Sequence, residues 1–181
     1  MVTIMEATGD KAGEALTELI LSLFRVNNMT LAWGDQLVAP LGLTSARWQI
    51  LGAIMFADRP KPVAWLARDL GANRQNVQRI VNDLEKEGLV AFEANPHHRR
   101  AQLVVLTEKG KRTYAAAIQA YEPRVNRLAE GLPLEDIKTA HRMMAALRSR
   151  LGAENNADDL ANAASSVSQP RRRHSRMSVL P

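Results

Sequence analysis

A short helix, a tight turn, a second helix and a β-hairpin are predicted in succession between residues 63 and 106, and this order constrains the fold most. Pro62 suits the first turn of the first helix, and Gly71 suits the position just after its end. Asn73 then caps a second helix, in which apolar side chains recur at offsets of 0, 3, 4 and 7 along one face: Val77, Ile80, Val81 and Leu84. The spacing therefore predicts two short helices joined by a tight turn.

Strand patterns begin as soon as the second predicted helix ends at Gly88. Residues 89–93 and 102–106 favour β structure, and the loop between them is rich in turn formers and positive charge. A hairpin directly after such a helix pair is typical of a winged helix-turn-helix. We therefore expect a mainly α fold with a small β-hairpin wing, in which residues 41–107 form a winged helix-turn-helix DNA-binding lobe.

The exposed face of the second helix carries the residue types that read DNA bases. Glutamine and asparagine can pair with adenine edges and arginine with guanine, whereas an ordinary solvated face, the alternative, is usually rich in glutamate and lysine. The candidate reading set is Asn73, Arg74, Gln75, Asn76, Gln78 and Arg79. In the wing, Arg99 is the candidate for the minor groove, and Arg100 is the phosphate-contacting or structural alternative.

Charge and composition narrow the class of protein further. A net charge of +5 is compatible with a polyanionic partner. The chain has no cysteine, which excludes disulfides, a thiolate zinc site and a thiol redox sensor. Its four histidines lack ligand spacing, and no catalytic triad order or glycine-rich phosphate loop is present, so we expect neither an enzyme nor a cofactor. No apolar leader or membrane-spanning run is evident, and a cytoplasmic location is expected.

Helical patterns on both sides of the lobe predict one long helix within residues 1–40 and two helices within residues 108–151. The first and last of these helices carry more apolar surface than a small lobe could bury, so a partner helix is expected. The last of these carries a seam suited to packing against another helix: Leu134, Ile137, His141, Met144 and Leu151. This helix is expected to end at about Leu151. Residues 152–181 are dominated by small and polar residues and are predicted to form a disordered tail.

Five segments, in this order and spacing, resemble the MarR family of bacterial multiple-antibiotic-resistance-type regulators. They are LGLT (41–44), WQIL (48–51), LARDLG (66–71), VQRIVNDLEKEGLV (77–90) and RRAQLVVLTEKG (99–110). The resemblance implies a homodimeric transcription regulator, here taken as a repressor, on a pseudopalindromic double-stranded DNA site. It implies that the N-terminal dimerisation helix lies within residues 1–40 and the C-terminal dimerisation helices within residues 108–151. It also implies a small aromatic or phenolic effector in many members. A winged-helix module that binds protein without specific DNA binding, and a regulator without an effector, are the alternatives.

Two details of the resemblance concern individual residues. Family wings usually carry an aspartate just before the paired arginines, which braces the loop through an ion pair, and His98 occupies that position here beside His97. These histidines either add positive charge below a pH of about 6.5 or are ordinary solvated residues. For the effector, the candidate lining residues at the junction of the first two helices are Met29, Trp33, Arg47 and Trp48, with core packing as the alternative.

Overall fold

The computed structural model describes residues 11–167, which form six helices and three strands. The helices are α1 (Lys11–Val38), α2 (Ser45–Met55), α3 (Val63–Leu70), α4 (Arg74–Lys86), α5 (Glu108–Ala129) and α6 (Leu134–Val167), and the strands are β1 (Lys61–Pro62), β2 (Val90–Glu93) and β3 (Leu103–Leu106). A 3-10 turn, Ala39–Leu41, connects α1 to α2. The expected fold class, mainly helical with a small β wing, is confirmed.

The chain divides into two compact units, one ending at Leu128 and the other beginning at Ala129. The first contains the predicted winged helix-turn-helix, because α3, α4 and the β2–β3 hairpin follow one another in it. The second contains α6. Among the described residues, no helix is both long and apolar enough to cross a membrane.

The core of the first unit explains why α4 presents one particular face to solvent. Val77, Val81 and Leu84 of α4 are fully buried, as are Leu66 of α3 and Val104 of β3. Full burial of such a side chain contributes about 1.5 to 3 kcal/mol. The predicted apolar stripe therefore fixes the rotation of α4 about its axis and leaves the opposite face exposed.

Local capping signals begin and end the helices where the sequence places them. The Thr44 side chain accepts a hydrogen bond from the backbone N–H of Arg47 at the start of α2. Asn73 Oδ1 accepts from the N–H groups of Gln75 at 2.8 Å and Asn76 at 3.3 Å. Gly71 has a φ of 61°, the left-handed conformation that favours glycine after a helix. Gly71 and Asn73 together fix the tight turn between α3 and α4.

The sheet has one strand more than the predicted hairpin. Its order is β1-β3-β2, all antiparallel, with Lys61 opposite Val104 and Val90 opposite Leu106. The strand missed by the prediction, β1, is only two residues long and includes Pro62, which is tolerated at a sheet edge. A pair of residues is too short to give a strand periodicity.

The predicted end of the last helix at about Leu151 is wrong, because α6 continues to Val167. Gly152 does not stop it, since glycine in a helix interior costs only about 1 kcal/mol and the following residues include several alanines. Residues 152–167, assigned to the predicted disordered tail, are therefore helical. The remainder of that tail, residues 168–181, lies outside the described residues.

Candidate nucleic-acid interface

The exposed face of α4 carries most of the predicted reading set. Arg74, Gln75, Asn76 and Arg79 are exposed, and Gln78 is half-buried. Their positions follow from the burial of the apolar stripe on the other side of the same helix. Polar and cationic side chains therefore project together from one rigid element.

Neighbouring asparagines hold two of these side chains in place. Gln78 Nε2 donates to Asn82 Oδ1 at 2.8 Å, and the Arg79 guanidinium donates to Asn76 Oδ1 at 3.1 Å. Both contacts join residues three or four positions apart, which share a helix face. Because Gln78 Nε2 has a second hydrogen, its amide keeps, among the described residues, one donor and its acceptor available for a base edge. Asn73, in contrast, uses its Oδ1 for capping.

A cleft of about 220 Å³ lies between α4 and the base of the wing. Arg74, Gln78 and Asn82 line it from α4, and Arg100 and Phe92 line it from the hairpin. The structure thus brings Arg74, Gln78 and Arg100 to one surface, although Arg100 is distant from the other two in sequence. Arg99 is exposed in the same loop and does not line the cleft.

The wing loop is closed by Asn95, a residue that the sequence reasoning missed. Its Oδ1 accepts from the N–H of His97 at 3.0 Å, and its Nδ2 donates to the carbonyl oxygen of Ala101 at 2.8 Å. The signal was present as an Asn-Pro pair at the start of the loop, because asparagine side chains commonly bond to their own backbone in turns. His97 and His98 are both exposed.

A second cleft, of about 380 Å³, lies where α1, α2 and α5 meet. Trp33 and Trp48 line it together with Tyr114 and Tyr121. The rings of Trp33 and Trp48 pack edge-on to Tyr121, with centroid distances of 5.8 and 5.3 Å. The sequence reasoning missed both tyrosines, since they lie on α5, far along the chain from the two tryptophans. We call this pocket, lined by Trp33, Trp48, Tyr114 and Tyr121, the aromatic cleft.

Polar groups in the aromatic cleft are few and neutral. Burial raises the pKa of the Tyr114 phenol above its ordinary value of 10, which further favours the neutral hydroxyl. Ser45 is buried and donates from Oγ to the carbonyl oxygen of Leu31 at 2.7 Å. A cleft with aromatic walls and a few hydroxyl groups suits an aromatic ligand.

The other two predicted effector residues lie elsewhere. Met29 is largely exposed and is not part of the cleft lining. Arg47 donates to the carbonyl oxygen of Gly42 at 2.9 Å and forms an ion pair with Glu87, the C-cap of α4. It therefore ties the start of α2 to the end of α4. In the described part of the chain, no cluster of three or more histidine or carboxylate groups is placed to hold a metal ion.

Comparison with known proteins gives the family. The family model described as "MarR family" matches residues 41–101, the region that contains α2, α3, α4 and most of the wing. The uncharacterized protein Rv2011c of Mycobacterium tuberculosis is 37% identical over 119 residues, which cover 66% of this chain and 82% of that protein. This chain belongs to the MarR family. MarR-family transcription regulators are non-enzymatic DNA-binding proteins, and this MarR-family chain is a DNA-binding transcription regulator.

Two named proteins, BadR and CouR, are similar to this MarR-family chain. BadR of Rhodopseudomonas palustris, named a transcriptional activatory protein, is 31% identical over 115 residues, covering 61% of this chain and 64% of BadR. The transcriptional repressor CouR bound to a 23-mer DNA duplex is 28% identical, with a TM-score of 0.65 over 78% of this chain and 99% of CouR. CouR from Rhodococcus jostii RHA1 bound to p-coumaroyl-CoA is 25% identical, with a TM-score of 0.59 over 80% and 94% of the two chains.

Proposed function

We propose that this protein is a homodimeric repressor that binds a pseudopalindromic operator through α4 and the wing. The observation that carries the proposal is the exposed face of α4, where Arg74 and Gln78 share a cleft with Arg100 of the wing. A helix that presents arginine and amide side chains beside a basic hairpin fits the major groove and the adjoining backbone. The related repressor CouR, whose structure is known bound to a 23-mer DNA duplex, supports DNA binding by this fold.

Each part of the interface has its own role in this proposal. Bases are read from the major groove by α4 and its N-cap residue, with the set Asn73, Arg74, Gln75, Asn76, Gln78 and Arg79. Arg99 enters the minor groove, where narrow regions concentrate negative potential. Arg100 lies nearer to α4 and contacts the phosphate backbone between the two grooves.

The experiment that tests DNA binding is fluorescence anisotropy with DNA from the promoter of the protein's own gene, measured across salt concentrations. Phosphate contacts release counterions, so the affinity should fall steeply as salt rises, and an unrelated sequence of the same length should bind more weakly. Equal affinity for both sequences would remove the sequence-specific part of the proposal. No binding to either would favour the protein-interaction alternative.

For the wing, we expect Arg99→Ala to reduce the salt dependence of operator binding. The slope of log affinity against log salt should become shallower by up to about 1, because an arginine in the minor groove displaces counterions from the DNA when it binds. The matched control is Arg142→Ala, which removes an exposed arginine of α6, outside the winged-helix lobe, and is used only if light scattering shows the wild-type oligomeric state. If Arg99→Ala and the wild type give the same slope, Arg99 does not contact DNA.

The proposed homodimer rests on apolar side chains that the single chain leaves exposed. Leu21 and Phe24 of α1 are 51% and 64% exposed, and Leu134 and Leu151 of α6 are 63% and 49% exposed. Exposed apolar surface on this scale is typical of an interaction surface. In this proposal residues 1–40 and 108–151 form the dimer, and residues 41–107 form the DNA-binding lobe.

A chain truncated after Gly152 should remain a dimer and keep its operator affinity within about twofold, because the proposed dimer surfaces and the lobe precede that point. Light scattering measures the dimer, and anisotropy with the same DNA measures the affinity. A monomeric truncated chain would place part of the dimer interface in the C-terminal extension of α6. A dimer that no longer binds DNA would assign that extension a role at the operator.

We propose that a small aromatic or phenolic effector occupies the aromatic cleft and releases the protein from DNA. Both tyrosines of the chain and two of its three tryptophans line this cleft, a concentration that supports ring recognition. A volume of about 380 Å³ is sufficient for a substituted aromatic ring. The structure of CouR with p-coumaroyl-CoA bound supports an effector of this class.

Titration with p-coumaroyl-CoA and with free phenolic acids should quench the fluorescence of Trp33 and Trp48 in a saturable way. The quenching should persist in Trp65→Phe, since Trp65 is 46% exposed on α3 and does not line the cleft. It should be lost in Tyr121→Ala, which removes the ring that contacts both tryptophans. Quenching that persists in Tyr121→Ala would place the ligand elsewhere.

A further inference from the structure

We propose that Asn95 is the positioning residue that orders the wing for DNA contact by fixing the backbone that carries Arg99 and Arg100. This inference rests on the proposed DNA-binding function and adds a residue to it. The Asn95 side chain lies at the start of the loop and reaches its far end, because its Nδ2 donates to the carbonyl oxygen of Ala101 at 2.8 Å. The two arginines lie inside the span that this hydrogen bond closes.

Two backbone hydrogen bonds give the loop a defined shape, and the Asn95 side chain ties them together. The N–H of His98 donates to the carbonyl oxygen of Asn95 at 3.3 Å, and the N–H of Ala101 donates to that of His98 at 3.0 Å. The 3.3 Å distance between the His98 nitrogen and the Asn95 oxygen is long for a backbone hydrogen bond. The side-chain contacts to His97 and Ala101 therefore contribute much of what closes the loop.

The chemistry of the contacts explains why the residue is asparagine. One side-chain atom must accept from the N–H of His97, and another must donate to the carbonyl oxygen of Ala101. Aspartate offers only acceptors when ionised, so it would set a negative oxygen against that carbonyl. Alanine provides neither contact. Asparagine supplies a donor and an acceptor on a side chain short enough to stay at the base of the loop.

The two arginines depend on this backbone because they have no side-chain support of their own. Both are exposed, and within residues 11–154 neither guanidinium forms an ion pair or a side-chain hydrogen bond. Arginine side chains lose considerable rotamer freedom when they bind. A mobile loop would also lose conformational entropy when DNA binds. The closed loop is already ordered in the free protein, so DNA binding carries no such further loss.

The test is a thermodynamic cycle on operator binding, measured by fluorescence anisotropy. Asn95→Ala should weaken binding by about tenfold when both arginines are present. In a protein that already carries Arg99→Ala and Arg100→Ala, the same change should weaken binding by less than about twofold, because the loop then positions nothing. A purely structural effect on the lobe would lower affinity equally in both backgrounds.

A measurement without DNA separates this inference from the proposed function. Backbone ¹⁵N relaxation of the free protein should give lower order parameters for residues 97–101 in Asn95→Ala than in the wild type, with α4 unchanged. If the wild-type protein binds no DNA but Asn95→Ala still mobilises the loop, the result contradicts only the proposed DNA-binding function. Wild-type affinity in Asn95→Ala, or an equal loss in both arginine backgrounds, would overturn the positioning role.

Discussion

Replacing Gly110 by alanine is expected to lower the free energy of unfolding by about 3 kcal/mol. A Cβ at this position overlaps the backbone carbonyl oxygen of Leu89, in the turn between α4 and β2. That oxygen cannot move away cheaply, since it accepts from the N–H of Thr107 at 3.1 Å and lies 3.2 Å from the Thr107 hydroxyl. The gain of about 1 kcal/mol that alanine normally brings to a helix interior is smaller than this clash.

Gly13→Ala is the matched control, because Gly13 is also helical and a Cβ there meets nothing within 4 Å. Its unfolding free energy should stay within about 1 kcal/mol of the wild type. Urea unfolding followed by circular dichroism measures both variants, at one protein concentration because the proposed dimer would make stability depend on concentration. Wild-type stability in Gly110→Ala would mean that α5 does not begin against Leu89.

Gln78→Ala and Arg79→Ala are each expected to weaken operator binding by about 1 to 3 kcal/mol, a loss of about 5- to 150-fold. Both side chains project from the solvent face of α4, and each is held by a neighbouring asparagine. In the proposed complex, each substitution removes a base contact whose side chain is already oriented in the free protein. The fold should survive, because neither belongs to the buried stripe of α4.

The two variants should also differ in which bases they stop recognising. Selection from randomised DNA measures this preference for the wild type and for each variant. Gln78→Ala should relax selection at an adenine position, and Arg79→Ala at a guanine position. Unchanged affinity and base preference in both variants, with normal circular dichroism, would remove this part of α4 from the reading set.

Features that depend on nearby residues were predictable from the sequence. Asn73 and Gly71 act within one helical turn, so the turn between α3 and α4 could be predicted from residue types alone. The rotation of α4 followed from the spacing of its apolar side chains. Local chemistry therefore fixes the element that presents the candidate reading residues.

Features that depend on distant residues were not predictable in the same way. Arg47 was expected at an effector site, yet it pairs with Glu87, 40 positions away. Tyr121 joins Trp33 and Trp48 only because α5 returns to α1 and α2. The apolar spacing of a helix shows which face is buried but not which other element packs against that face. These contacts could therefore be identified only from the tertiary structure.

The most direct test of the central claim is a hydroxyl-radical footprint of the wild-type protein on its selected DNA. A homodimer with α4 in the major groove should protect two symmetry-related patches on one face of the duplex, centred about 10 base pairs apart or a multiple of that distance. The base sequence that spans the two protected patches should form an inverted repeat. A single asymmetric patch, or no protection at concentrations that saturate binding, would contradict the account.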